Sequence, residues 1–223
     1  MEAKRTFFNL PEEKREKIIK AALEEFASKG WKGASVNSIV ARAGIAKGSL
    51  YQYFRDKRSL FLFLFDKAVG VAKETLKRVK RQTAEKPLRE RLRESLLAGV
   101  DFIERHPLLY RIYLQLVFER DVPFRQDLIG RLRVLSFDYI LSLLEEALKR
   151  GEVREGLDLK AAAFLIDAVM ERFLQLQAFP HLAPGWSPKG REEVEQRVEE
   201  LVDLIEKGVR PYNFFLFEMT RRS

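Results

Sequence analysis

The sequence predicts an all-α protein of about nine helices, with an N-terminal three-helix domain of the helix-turn-helix type followed by a larger helical domain. Apolar residues recur at three- and four-residue steps along most of the chain, which is the period of an α-helix. No sustained alternation of apolar and polar residues lies between turn signals, so strands are not expected. Glycine and proline residues divide the apolar stretches into segments of helical length.

The first helix is expected over residues 11–28. Pro11 suits the first helical position, and the acidic residues that follow it suit the positive end of the helix dipole. Gly30 is expected to end the helix. One apolar stripe is made by Ile19, Ala22, Leu23 and Phe26.

Two short helices are expected next, over residues 36–43 and 46–54. Ser35 is a suitable N-cap for the first of them, and Gly44 ends it. Leu50 and Phe54 lie four residues apart in the second and are expected to face inward. Two short helices joined by a tight glycine turn predict a helix-turn-helix.

Longer helices are expected in the rest of the chain. Asp56 is a suitable cap for a helix over 59–81, and proline and glycine residues delimit the segments beyond it. We expect a helix-turn-helix domain at 1–58, a second helical domain at 59–210 and a tail at 211–223. The remaining helices are expected at 88–105, 107–120, 124–150, 158–178 and 190–208.

The positive charge of the chain is concentrated near its N-terminus. The 223 residues carry a formal net charge of +8. Residues 1–60 hold 13 Lys and Arg against 7 Asp and Glu, a net of +6, whereas the other 163 hold 28 against 26. Such an excess attracts a polyanion such as nucleic acid or an acidic membrane, or it forms a solvated basic face that binds nothing.

Several classes of protein are excluded by what the sequence lacks. Without cysteine there is neither a disulfide framework nor a thiolate metal site, and the two histidines show no ligand spacing, so no metal or cofactor is expected. The longest apolar run, at 60–65, is far short of the roughly 20 residues that a membrane span needs. A cytoplasmic protein without a membrane partner is therefore expected. No nucleophile elbow, phosphate-binding loop or zinc-hydrolase motif occurs, so an enzyme is not expected.

The second short helix carries the side chains that a major groove would accept on its outward positions. Gln52 suits an adenine edge, and Lys47 suits a guanine or a phosphate. The same motif also occurs inside ordinary helical proteins, so the pattern alone leaves a purely structural role open. The candidate DNA contacts are Ser35, Lys47, Gly48, Ser49, Tyr51, Gln52, Tyr53 and Lys57.

The stretch from Ala34 to Leu60, ASVNSIVARAGIAKGSLYQYFRDKRSL, resembles the TetR family of regulators. The resemblance covers about residues 12–66, and Ala46 and Tyr53 depart from it where the family often has serine and histidine. It implies a sequence-specific DNA-binding regulator of transcription. The matching positions are Phe26, Gly30, Ile39, Ala43, Gly44, Lys47, Gly48, Ser49, Leu50, Tyr51, Phe54, Lys57 and Leu60.

The resemblance also implies a cavity among the middle helices that binds a small, apolar effector. Aromatic residues are frequent there, although most of them are expected to form an ordinary helical core. His106, at a helix junction, is either an effector ligand or is satisfied by a nearby carbonyl. The candidate effector residues are Phe102, His106, Tyr110, Tyr113, Phe137, Phe173 and Gln177.

Apolar stripes on the last two long helices suggest a four-helix bundle between two copies of the chain, which is how TetR-like proteins dimerise. Packing within one chain is the alternative. The resemblance further implies an inverted-repeat operator, repression relieved by the effector, and transmission through the helix at 59–81. A ligand carrier is the rival function, since the second half alone would look the same. The candidate dimer residues are Phe164, Ala168, Val194, Val198, Leu201 and Ile205.

Overall fold

A computed structural model of the protein describes residues 3–118 and 122–211. Over those ranges the chain forms ten α-helices and one short 3-10 helix, so the all-α prediction is confirmed. Apart from Pro211, the predicted tail at 211–223 lies outside the described residues. The helices are α1 (Arg5–Phe8), α2 (Glu12–Gly33), α3 (Val36–Ala43), α4 (Lys47–Tyr53), α5 (Lys57–Gln82), α6 (Leu88–Arg105), α7 (Pro107–Phe118), α8 (Arg125–Lys149), α9 (Leu159–Leu176) and α10 (Arg191–Val209), with the 3-10 helix at Pro180–Leu182.

The helix-turn-helix elements lie where the sequence predicts them, and α1 is an addition that the sequence analysis missed. In α2, Pro11 occupies the N-cap rather than the first helical position. Gly30 interrupts the regular helix with a φ of 65°, a conformation that glycine adopts at no steric cost, and one further turn follows it. Gly30 therefore ends the regular part of α2, as predicted.

Asp56 caps α5, as predicted, although the helix begins two residues earlier than expected. Its Oδ1 accepts a hydrogen bond from the backbone N–H of Ser59 at 2.7 Å, and the Ser59 hydroxyl accepts one from the N–H of Asp56 at 3.0 Å. The first of these bonds is the main reason why the pKa of Asp56 lies below its ordinary value. This reciprocal pair satisfies N–H groups that would otherwise have no partner in the first turn.

The chain divides into two compact units, Met1–Glu74 with Phe102–Leu132, and Thr75–Asp101 with Arg133–Ser223. The divisions fall within α5, α6 and α8. The helix-turn-helix therefore shares its compact unit with α7. The boundary expected after residue 58 stays a prediction.

In the first unit, α2 packs against both α3 and α7. Gln115 on α7 donates a hydrogen bond from Nε2 to the carbonyl oxygen of Ala27 on α2, at 3.1 Å. Aromatic rings meet edge to face nearby, with 5.0 Å between the ring centroids of Trp31 and Phe124. These contacts fix the last turns of α2. α3 packs against α2, and α4 packs against α3.

In the second unit, residues of α6, α8, α9 and α10 form a separate core. The buried guanidinium of Arg91 donates to Glu146 at 2.6 Å, and Lys80 pairs with the other oxygen of that carboxylate at 2.8 Å. Asp158 caps α9 by accepting from the N–H groups of Lys160 and Ala161. α9 is thus held at its start by a cap and along one face by the core.

Candidate nucleic-acid interface

The turn between α3 and α4 depends on Gly44, which adopts a left-handed conformation with φ 66° and ψ 36°. The N–H of Ile45 then donates back to the carbonyl of Val40 at 3.0 Å, which closes the end of α3. α4 begins at Lys47 after an N-cap, Ala46, that provides no side-chain hydrogen bond. The two helices are therefore joined by the tight turn that a helix-turn-helix requires.

α4 has a buried face and an exposed face. Leu50 and Phe54 are buried in the core of the first unit, as predicted. On the other side, the exposed candidates are Lys47, Gly48, Tyr51 and Gln52, with Ser49 half-buried. Their outward position is the one that DNA contact requires, and their contacts themselves stay predictions.

Gly48 lies on this exposed face with open space around it. A Cβ atom added at this position would have no heavy atom within 4 Å apart from its chain neighbours and the adjacent backbone of α4. Packing inside the chain therefore does not require glycine here. An absent side chain on this face leaves room for another molecule to approach the backbone of α4.

Tyr53 does not belong to the exposed face, and this part of the prediction is wrong. Its side chain is only 7% exposed and packs in the core of the first unit. The ring lies 6.0 Å from that of Phe7 on α1. The physical reason is periodicity, because Tyr53 is three residues from the buried Leu50 and shares its side of α4.

Lys57, one of the predicted DNA contacts, instead donates hydrogen bonds to backbone carbonyls of its own chain. Its Nζ donates to the carbonyl oxygens of Trp31 at 2.8 Å and Ala34 at 3.1 Å. The ammonium also lies 4.7 Å from the centroid of the Trp31 ring, and burial lowers its pKa. Lys57 therefore satisfies carbonyl groups at the end of α2, as cations near helix C-termini do.

Ser35 occupies the N-cap of α3, but a different residue provides the capping bond. The hydroxyl of Ser35 makes no capping hydrogen bond, and its backbone N–H donates to Oε1 of Glu25 at 3.0 Å. That N–H is thus already hydrogen-bonded within the chain and is not available to a phosphate. Phosphate contact by the Ser35 hydroxyl stays a prediction.

Glu25 is the residue of this region that the sequence analysis missed. Its side chain is 0% exposed, and its other oxygen accepts from the Ser38 hydroxyl at 2.9 Å. Lys29 donates to Oε1 at 2.9 Å, and a nitrogen of Arg42 lies 3.6 Å from Oε2. Burial by itself raises the pKa of Glu25, but the bonds from Lys29, Ser35 and Ser38 outweigh it, and the pKa lies below 4.5. The sequence did contain an indication of its burial, because this acidic residue lies on the apolar stripe of α2.

The candidate effector residues are divided between the two units. In the first, Tyr110 is buried, and the imidazole of His106 lies 5.1 Å from the ring of Phe102. Tyr113 also belongs to the first unit. The remaining three candidates, Phe137, Phe173 and Gln177, belong to the second unit. Within the second unit, the buried ring of Phe173 packs against Trp186, with centroids 6.1 Å apart, and Gln177 bonds to the carbonyl of Phe173. The effector role of all seven stays a prediction.

The candidate dimer residues fall into two groups. Val194 and Val198 are buried in the core of the second unit, which takes them out of any interface, and Leu201 and Ile205 pack partly against that core. Phe164 is 65% exposed, and Ala168, one helical turn further along, is exposed as well. The four residues of α10 therefore pack within the chain instead of forming the predicted dimer contacts. The physical reason is that α10 has one apolar stripe, and the core of its own unit already packs against that stripe.

Two kinds of site have no counterpart in the part of the chain that the structure describes. No group of three or more His, Asp or Glu side chains there is arranged to hold a metal ion. None of the described helices is both long enough and apolar enough to cross a membrane.

Residues 18–64, which contain α3, α4 and most of α2, match the model of the bacterial regulatory proteins of the tetR family. The chain is 28% identical over 198 residues to the HTH-type transcriptional repressor AcnR of Corynebacterium diphtheriae. That similarity covers 88% of this chain and 92% of the relative.

Solved structures extend the likeness over nearly the whole chain. A TetR family transcriptional regulator from Chloroflexus aurantiacus is 30% identical with a TM-score of 0.67, covering 94% of this chain and 99% of that one. The regulator FadR of Bacillus subtilis, solved in complex with stearoyl-CoA, has a TM-score of 0.68 over 87% and 99% of the two chains. At 21% identity, the second likeness is one of fold. The relatives are regulators of transcription, and this chain belongs to the TetR family.

Proposed function

We propose that this regulator is a repressor that binds an inverted-repeat operator as a homodimer and is released from it by a small effector. The observation that carries the proposal is the exposed face of α4, on which Lys47, Tyr51 and Gln52 lie around an unobstructed Gly48. Repression is supported by the likeness to a relative named as a transcriptional repressor.

The exposed face of α4 suits a major groove. Gln52 presents an amide that pairs with the two polar atoms of an adenine edge, and Lys47 presents a donor to guanine or to phosphate. Ser49 and Gly48 keep the surface low between them, so that the helix can approach the bases. In this proposal, Tyr51 donates its hydroxyl to the DNA backbone.

The homodimer is supported by an apolar surface on α9. Phe164 and Leu165 are 65% and 63% exposed, and Val169 continues the same side of the helix. Leu204 on α10 is also exposed. Apolar side chains of this size gain free energy when a second copy covers them. A two-fold interface of this kind presents two copies of α4, which is why the operator is expected to be an inverted repeat with half-sites about one helical turn apart.

An acyl-CoA is the effector class that we propose. The support is the stearoyl-CoA complex of the fold relative, together with the aromatic residues on α6 and α7 of this chain. Such a ligand relieves repression only if it binds more tightly to a conformation that has low affinity for the operator. α5 contributes to both compact units, so we assign it the transmission of this change.

The test begins with selection of bound duplexes from a random DNA pool by the purified protein, without and with an acyl-CoA. An enriched inverted repeat from which palmitoyl- or stearoyl-CoA releases the protein is the expected result. An enriched site without symmetry would overturn the dimeric part of the proposal. Enrichment that no acyl-CoA reduces would overturn the effector class, and no enrichment in either condition would overturn the operator itself.

A further inference from the structure

Residues near the N-terminus cover the end of α4, beginning at Ala3. We call residues 3–8 the N-terminal strap. The backbone N–H of Lys4 donates to the carbonyl oxygen of Tyr53 at 2.9 Å, and the Lys4 ammonium donates to that of Tyr51 at 2.8 Å. The Thr6 hydroxyl donates to the carbonyl of Gln52 at 2.7 Å. The strap therefore satisfies the last three carbonyl groups of α4, which a helix leaves without internal partners.

The strap is also anchored in the core. Phe7 is buried, with its ring 4.9 Å from that of Phe54 and 5.2 Å from that of Phe63. Ala3 is buried as well and forms an isolated antiparallel bridge with Phe54. Hydrogen bonds on one side and apolar packing on the other hold this segment in one position relative to α4.

The charges of the strap lie beside the exposed face of α4. The C-terminal end of a helix carries a partial negative charge, which would repel a polyanion. The Lys4 ammonium, bonded to the carbonyl of an exposed residue of α4, offsets that charge and keeps two further N–H groups. Arg5, the next residue, is exposed. The Lys4 ammonium is thus fixed next to Tyr51, and Arg5 follows it along the strap with its side chain exposed.

We propose that the N-terminal strap is a second DNA-contacting element, in which Arg5 and Lys4 bind backbone phosphates beside the bases that α4 contacts. This inference rests on the proposed function. A guanidinium matches the geometry of two phosphate oxygens, and an anchored segment loses little conformational freedom on binding. Phosphate contacts of this kind raise affinity for operator and non-specific duplex alike, because they carry no sequence information.

The experiment measures the dissociation constant of the full chain for the selected operator between 50 and 200 mM salt, with ethylation interference to locate phosphate contacts. We expect Arg5→Ala to weaken binding roughly 3-fold or more and to reduce the salt slope by about 1, which is one phosphate contact. Ethylation of one phosphate in each half-site should then cease to interfere. Lys4→Ala with Arg5→Ala should reduce the slope by about 2.

Two control variants separate charge from folding. Arg78→Ala removes an exposed arginine on α5 and should leave the affinity and the slope unchanged. Thr6→Val removes the bond to Gln52 without removing a charge, so it should lower stability and keep the salt slope.

An unaltered slope and an unaltered interference pattern in Arg5→Ala, with an operator that the wild type binds, would overturn the strap proposal alone. A wild type that binds no duplex would overturn the proposed function and the strap with it.

Discussion

The exposed faces of α4 and α9 differ in the chemistry that they present. α4 exposes polar groups around a bare stretch of backbone at Gly48, whereas α9 exposes the large apolar side chains of Phe164 and Leu165. Both helices bury their opposite faces in a core of their own unit. An exposed face that its own core does not need shows what kind of partner it suits: a hydrated polyanion for α4, and an apolar surface such as a second copy for α9.

The largest effect is expected from Phe164→Asp, which places a charge on the face of α9. We expect the protein to become a folded monomer and its operator affinity to fall about 100-fold or more, because an aromatic anchor contributes about 2 kcal/mol and acts twice in a two-fold interface. Sedimentation and operator binding measure these changes. Val134→Asp, at another exposed apolar residue, should change neither. A dimeric Phe164→Asp variant would exclude this face as the interface.

The next effect concerns the face of α4. Lys47→Ala with Gln52→Ala should lower operator affinity about 30-fold or more, because two well-placed base contacts of roughly 1–3 kcal/mol each are lost. The dimer mass and the melting temperature should not change, since both side chains are exposed. The matched control is Gln126→Ala with Lys149→Ala, which alters the same residue types on α8. Unchanged operator binding in the first variant would exclude these two side chains as base contacts.

A smaller effect is expected beneath α3, where Glu25→Gln should lower the free energy of unfolding by roughly 1–3 kcal/mol at neutral pH by weakening the bonds to Ser35, Ser38 and Lys29. The pKa of Glu25 is depressed in the folded chain. The stabilisation that its carboxylate provides is therefore present above pH 4.5 and is lost as the pH falls through the folded pKa. The difference between wild type and variant should therefore shrink in acid, as denaturant titrations at several pH values will measure.

The matched control for this carboxylate is its neighbour, Glu24→Gln, which alters the same charge at a partly exposed position. We expect a change well below that of Glu25→Gln, because exposed ion pairs contribute little. A difference at Glu25 that stays constant with pH would contradict its role as a buried, ionised cap.

The smallest effect separates two glycines of the helix-turn-helix. Gly48→Ala should raise the free energy of unfolding by roughly 0.5–1 kcal/mol, because α4 has room for the methyl group and alanine favours helix, yet it should weaken operator binding. Gly44→Ala should instead destabilise the fold, since its φ of 66° is strained for alanine. Thermal melts and operator titrations of the two variants give the comparison. Unweakened binding by Gly48→Ala would mean that the DNA does not approach this backbone.

The sequence was sufficient to predict the parts of the fold that depend on neighbouring residues. The glycine turn at Gly44, the cap at Asp56 and the inward positions of Leu50 and Phe54 all follow from spacings of a few residues. The strap could not be predicted in this way, because the side chains of Lys4 and Thr6 bond to carbonyls 47 and 46 positions further along the chain, respectively. Glu25 acts across ten and thirteen positions, which local spacing does not encode either.

The apolar stripes of α9 and α10 show a second limit of sequence patterns. A stripe such as Val194 and Val198 predicts burial without identifying the partner, and here the partner is the chain's own core. The sequence of α9 is a better indication of an interface, because residues 161–166 are all apolar and so place apolar side chains on every side of the helix. A helix that is apolar on all sides has more to bury than one core can cover.

The open surroundings of Gly48 have a consequence for how such regulators diverge. Because the exposed residues of α4 lie outside the buried core, substitutions there are expected to cost little folding free energy, so a lineage can sample new operator sequences while its core stays intact. The proposed face on α9 is under the opposite constraint. If it meets an identical surface, as we propose, every substitution there alters both sides of the contact at once and few will be tolerated. On this proposal, we expect DNA recognition to vary between relatives more readily than the choice of partner.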